Sequence, residues 1–227
     1  MSKRKLMRIV VALVVAGLAW FAKEQGWIAE EGEAAREKLP GQSAEGEYTP
    51  VAFSGAEMEL LEGCELIGGR NNDGDSFHVR HSEGETEFRL YFVDTPESAF
   101  KTYGGGESNG ERIREQGEYF GGLGREETTT VGKAAKGFVK KVLGEGRFKV
   151  LTKWEDVYGP DRKYALVVVE WEGDEVYLHE LLVGQGLGRI HTRGADLPKG
   201  RSWREQKDFL KGLERKARED KVGAWSF

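Results

Sequence analysis

Apolar positions along the chain fall into three kinds of pattern, and each predicts an element. From Phe77 to Arg80 and from Thr86 to Val93, aromatic and β-branched residues alternate with polar ones, the period of a half-buried strand, and Glu83-Gly84-Glu85 between them reads as a hairpin turn. Arg147 to Trp154 and Tyr164 to Trp171 form a second such pair, and Gly173-Asp174 turns the chain into a short strand at Glu175 to Tyr177. One more strand is expected before Asp73. Helical spacing marks Lys133 to Leu143 (Ala134, Phe138, Val142), Leu178 to Gln185, and Trp203 to Asp220, with Gly144 and Gly186 suited to be stops. Three strands, a helix, two strands, a helix and a long helix pack most simply as an α+β, mainly β fold. The expected architecture is a small antiparallel five-stranded OB-fold barrel with about three peripheral helices. Residues 98–132 interrupt this order with Gly104-Gly105-Gly106, read as a flexible loop, and a helical spacing from Glu111 to Phe120.

The third pattern is the uncharged run Ile9 to Ala22, fourteen residues preceded by Lys3, Arg4, Lys5 and Arg8. A basic flank before an apolar stretch of this length is the design of an export signal, and fourteen residues span only about 21 Å as a helix, short of a bilayer. Residues 1–22 fit a cleaved signal with Gly17-Leu18-Ala19 at the cleavage site, or an N-terminal membrane anchor with Trp20 and Phe21 at the interface. Either sends the rest of the chain out of the cytoplasm, secreted, periplasmic or tethered, and makes a membrane a partner through residues 6–22. Residues 23–62, rich in Glu, Gly, Ala and Ser, read as an acidic flexible linker. The folded domain is expected over 63–227.

Charge sharpens this division. The chain of 227 residues carries Lys+Arg 34 against Asp+Glu 39, a net −5 that argues at first against a polyanionic partner. Residues 1–22 hold four basic residues and no acid, and residues 23–62 hold ten acidic against three basic, which leaves 63–227 at only −2. Within it, residues 189–221 hold eleven basic and six acidic residues, a patch able to attract polyanions. One cysteine, Cys64, rules out an intrachain disulfide and any multi-cysteine metal site. His78, His81, His179 and His191 are scattered without metal-ligand spacing.

Three polar groups interrupt the strand text: Asp73-Gly74-Asp75 leading into a strand, Arg89-Leu90-Tyr91-Phe92-Val93-Asp94-Thr95-Pro96-Glu97, and Tyr158-Gly159-Pro160-Asp161-Arg162. Singly, each is an ordinary turn or helix start. In this order they resemble the staphylococcal nuclease, or thermonuclease-like, domain. Leu181 to Gly188 and Gly223-Ala224-Trp225-Ser226 resemble that family's second helix and tail, with residues 98–132 outside the pattern.

The resemblance implies a Ca²⁺-dependent hydrolase of DNA or RNA phosphodiester bonds that leaves a 3′-phosphate and a 5′-hydroxyl. It implies Asp75 and Asp94 as metal ligands with the Thr95 carbonyl, Asp73 in the outer shell, Glu97 as general base on water, and Arg89 and Arg162 gripping the phosphate. Carboxylates and a carbonyl suit a hard dication, and planar guanidinium suits phosphate. Arg89 and Asp94 are five apart, so a regular strand would point them to opposite faces, and their convergence requires a break near Val93.

Pro160-Asp161 separates Tyr158-Gly159 from Arg162, where the family commonly runs Tyr-Gly-Arg. Near Ile190-His191-Thr192 the family's tyrosines are missing, which leaves Tyr158 as a stacking candidate or as a turn residue packed on the barrel. The 98–132 insertion begins directly after Glu97 and is expected to overhang the site, to narrow substrate choice or as decoration. Two other classes stay open: a catalytically silent barrel that binds nucleic acid or an envelope component, and a membrane-tethered scaffold. No protein partner is inferable.

Overall fold

The computed structural model describes residues 58–69, 71–159, 161–198 and 200–227. The signal or anchor expected at 1–22 and the linker up to residue 57 lie outside them. Among the described residues no helix is long and apolar enough to cross a membrane.

The elements follow the sequence in order. Strands β1 (Glu59–Leu66), β2 (Ser76–His81), β3 (Gly84–Leu90) and β4 (Val93–Asp94) precede helices α1 (Gly110–Tyr119) and α2 (Arg125–Gly144). Then come β5 (Phe148–Asp156), β6 (Arg162–Trp171), β7 (Asp174–Tyr177), α3 (Leu178–Gly184), β8 (Arg189–Ile190), α4 (Trp203–Glu219) and a 3₁₀ turn, Gly223–Ser226. Residues 59–62, assigned to the linker from their charge, are the first half of β1: Leu60 and Leu61 pair with Leu151 and Val150 of β5, and Leu61 is buried.

The main sheet runs β3-β2-β1-β5-β6-β7, and β3 also pairs with β6, which closes five strands into a barrel. That closing pair is parallel, with Arg89 beside Tyr164, so the barrel is mixed where an all-antiparallel one was expected. Alternation buries Phe77, Val79, Phe88 and Leu90 on β2 and β3, while β6 is buried continuously from Ala165 to Val169. A continuous buried run signals a strand covered on both faces, and each such aliphatic or aromatic side chain contributes about 1.5–3 kcal/mol of transfer free energy. Cys64 belongs to this core; burial pushes its thiol up to about 11 and closes it to disulfide exchange across chains.

Among the described residues four α-helices surround the barrel. α2 starts eight residues before the spacing of Lys133 to Leu143 suggests, and α1 and the front of α2 occupy most of the 98–132 insertion. Gly132 lets α2 lie directly on the chain after β4: a Cβ there would stand 2.4 Å from the Glu97 carbonyl oxygen and 2.5 Å from that of Pro96.

Candidate active site at the mouth of the barrel

The site begins with a break in the chain. β3 ends at Leu90, and the Val93 amide donates to the Tyr91 carbonyl at 2.9 Å across Phe92, whose φ is +70°. This is a γ-turn, unusual for a bulky residue, and such conformations persist only where surrounding packing enforces them. Here the Phe92 amide donates to Arg193 O, the His191 amide donates to Phe92 O, and the Phe92 ring stacks on His179 with centroids 5.1 Å apart. The turn cancels the alternation that would send Arg89 and Asp94 to opposite faces. Arg89 Nη2 donates to Asp94 Oδ1 at 2.7 Å.

β2 lies beside β3 with Ser76 opposite Arg89, and this register brings Asp75 to the same place. Arg89 Nη1 donates to Asp75 Oδ1 at 3.2 Å and the Thr95 amide donates to Asp75 Oδ2 at 2.9 Å. Gly74 packs on Thr95, where a Cβ would meet the hydroxyl at 2.6 Å. β8 completes the cluster: Asp94 pairs with Arg189 in the β4–β8 ladder, and Arg189 Nε donates to Asp94 Oδ2 at 2.7 Å. Gly188 allows that approach, since a Cβ would fall 2.5 Å from Val93 Cγ1.

The insertion supplies the rest, and it does overhang the site. Asn109, just ahead of α1, leaves the helix end uncapped and donates from Nδ2 to Glu97 Oε2 at 3.2 Å and to Ala99 O at 2.9 Å. Arg112 donates from Nη2 to Asp94 Oδ1 at 2.6 Å and pairs through Nε with Glu97 Oε1 at 2.9 Å. Gln116 donates to Asp94 Oδ2 at 2.9 Å and to Thr95 O at 3.1 Å, and accepts from the Glu97 amide at 2.9 Å.

Asp75, Arg89, Asp94, Thr95 and Glu97, the residues singled out by the resemblance, therefore lie together. Asp73 stands close by: burial raises its carboxyl, and the Glu97 charge raises it further. Arg162 is not in the cluster; it lies at the start of β6 opposite Glu87, with Nε 3.0 Å from Glu87 Oε1. Tyr158 is fully exposed on the β5–β6 turn at φ +52°, so it is not packed on the barrel. His191 is at the surface. Sequence reasoning missed Asn109, Arg112, Gln116 and Arg189. The spacing 109, 112, 116 is one polar helix face directly downstream of Glu97, a signal that was present.

The carboxylates differ in character. Burial pushes Asp94 up, but Arg112, the Gln116 amide, Arg189 and Arg89 outweigh it and hold the group below the ordinary carboxylate value. Asp75 is pushed up, chiefly by burial and then by Asp94, against the pull of Arg89. Asp94 is thus the fixed anion on which three guanidinium groups converge.

Ca²⁺ would take about 6–8 oxygen ligands. Both oxygens of Asp94 already accept two donors each, Asp75 accepts three, and Thr95 O accepts Gln116. Among the described residues no group of three or more His, Cys, Asp or Glu side chains is gathered for a metal. The donor set in this arrangement does not fit a dication.

A closed OB barrel with an acid and arginine cluster at its mouth defines a protein with a nuclease-type fold. Residues 87–227 match the family model of the staphylococcal nuclease homologues, and the chain belongs to that family. Among curated proteins none matches the chain.

Proposed function

We propose that the chain hydrolyses phosphodiester bonds of DNA or RNA, and that the basic and apolar segment at 1–22 exports it. The observation that carries this reading is Arg89, buried between Asp75 and Asp94, with Glu97 tied into the same cluster through Arg112. An arginine fixed by two carboxylates is preorganised, so little is lost in ordering it when a phosphate arrives. Glu97 is the least enclosed of the clustered acids and serves as general base. It takes a proton from water, the water oxygen bonds to phosphorus, the bond from phosphorus to the 5′-oxygen breaks, and that oxygen leaves with a proton from solvent. Arg89 and Arg112 offset the charge that develops on the phosphoryl oxygens. Ca²⁺, which the resemblance implies, would be held by Asp75, Asp94 and the Thr95 carbonyl only after their present donors move.

The fully engaged Asp94 and the Glu97 carboxylate tied to Arg112 and Asn109 favour a second reading, a barrel that binds nucleic acid without cutting it. Digestion of single-stranded DNA, duplex DNA and RNA by the full-length chain, with Ca²⁺ and with chelator, separates the two. Cleavage that falls at least about a hundredfold in Glu97→Gln and in Arg89→Ala is expected for the hydrolase. Undiminished cleavage in both variants refutes the assigned roles, and binding without cleavage in every condition identifies the silent barrel.

A further inference from the structure

We infer that Arg112 is the resident cation of this site, a guanidinium carried by the insertion that competes with a divalent ion for Asp94 and Glu97. The inference rests on the reading of this cluster as the functional site and not on turnover. Three observations carry it. The first is position: Arg112 bridges Asp94 Oδ1 at 2.6 Å and Glu97 Oε1 at 2.9 Å, so one side chain engages both a proposed ligand and the proposed base. The second is charge. Asp75, Asp94 and Glu97 are paired directly with Arg89, Arg112 and Arg189, three charges against three. Adding a dication to these paired groups brings two further positive charges, whereas withdrawing Arg112 removes one, frees Glu97 Oε1 and leaves Asp94 Oδ1 with Arg89 alone. The third is exposure: the Arg112 side chain is 43% exposed, against 9% for Arg89 and 7% for Arg189. Arg112 is therefore the guanidinium of the three that can swing into solvent, and Asp94 keeps Arg89, Arg189 and Gln116 when it does. Asn109 and Gln116 keep α1 docked when it does.

The insertion is then neither decoration nor only a wall of the substrate groove. It sets the threshold at which a divalent ion enters, because the affinity of an oxygen site follows the count of nearby charges.

The experiment measures metal binding by the full-length chain, with terbium luminescence and with calorimetric titration of Ca²⁺. Arg112→Gln is expected to tighten both at least about tenfold, since one opposing unit charge is removed from the ligand oxygens. Arg112→Lys, which keeps the charge without the two-nitrogen bridge, is expected to tighten binding less than Arg112→Gln. Adding Asp94→Asn to Arg112→Gln abolishes the gain. Thermal melts of each variant confirm folding, and Arg112→Ala serves where Arg112→Gln does not fold. Equal affinity in wild type and the neutral variants, or a gain that survives Asp94→Asn, overturns the inference. A chain that cuts no nucleic acid but shows the gain refutes only the hydrolase reading.

Discussion

His179 is buried without exposure behind the γ-turn that aims Asp94, and its protonation state supports a quantitative prediction. Gln206 Nε2 donates both to Glu180 Oε1 and to His179 Nε2, each at 2.8 Å, which requires a neutral ring accepting at Nε2. Nδ1 has no hydrogen-bond partner. Burial, with Arg201 adding to it, pushes the imidazole down to about 3 from an ordinary 6.5. Because the folded value lies below the unfolded one, the stability this group contributes is present above about pH 6.5 and is lost as pH falls toward 3. Between those limits the unfolded chain binds one more proton, a slope of about 1.4 kcal/mol per pH unit. From pH 8 to pH 5 the wild type loses about 2 kcal/mol through this residue alone.

His179→Phe keeps a ring against Phe92 and removes the titration, at a constant cost of about 1–3 kcal/mol for the unpaired Gln206 donor. Urea unfolding of both proteins at several pH values therefore gives a stability difference that moves by about 2 kcal/mol in favour of the variant between pH 8 and pH 5. A difference with the same sign and size at both pH values refutes the neutral buried histidine. Since the ring backs Phe92, the acid-induced loss is expected to loosen the turn between β3 and β4 before the rest of the barrel.

Two further outcomes follow from the packing around the cluster. Gly132→Ala drives a methyl group into the Pro96 and Glu97 carbonyls, costing about 1–3 kcal/mol in thermal unfolding and lowering hydrolysis more than substrate binding, because Glu97 is what moves. Tyr119→Phe removes the hydroxyl that accepts from the Ile190 amide at 3.2 Å and donates to Glu214, which costs about 1–3 kcal/mol and speeds hydrogen exchange at Ile190.

Strand identity was legible from runs of aromatic and β-branched residues bounded by turns, and β2, β5, β6 and β7 lie within two residues of the expected spans, whereas β3 ends at Leu90, three residues short of the expected Val93. The parallel closure of β3 on β6 was not, since pairing direction leaves no periodic trace in either strand. α2 looked shorter than it is because Thr128, Thr129 and Thr130 read as a polar loop. In the fold, Thr128 Oγ1 donates to Gly124 O and Thr130 Oγ1 to Glu126 O, each at 2.8 Å, which places these hydroxyls within the helix. The order of three motifs, through their family resemblance, marked Asp75, Arg89, Asp94, Thr95 and Glu97, and the need for a break after β3 was foreseeable from the five-residue spacing. That Phe92 would supply it depends on His179 and on the backbone of 191–193, which no local pattern encodes. Arg162 was placed by motif alone, and Glu87 claims it instead. Arg112 and Gln116 escaped because their partners are reached through tertiary docking of α1.

The partners of Asp94 come from widely separated parts of the chain, and Arg189 follows it by 95 residues. Synthesis from the N-terminus therefore makes the acids long before the last of the arginines that hold them. Until β8 emerges, β4 has no partner strand in its two-stranded sheet, and a nascent or truncated chain ending before residue 189 cannot complete the cluster. The acid and arginine cluster is thus the last thing the chain assembles, and an unfinished polypeptide carries Asp94 without its full set of partners.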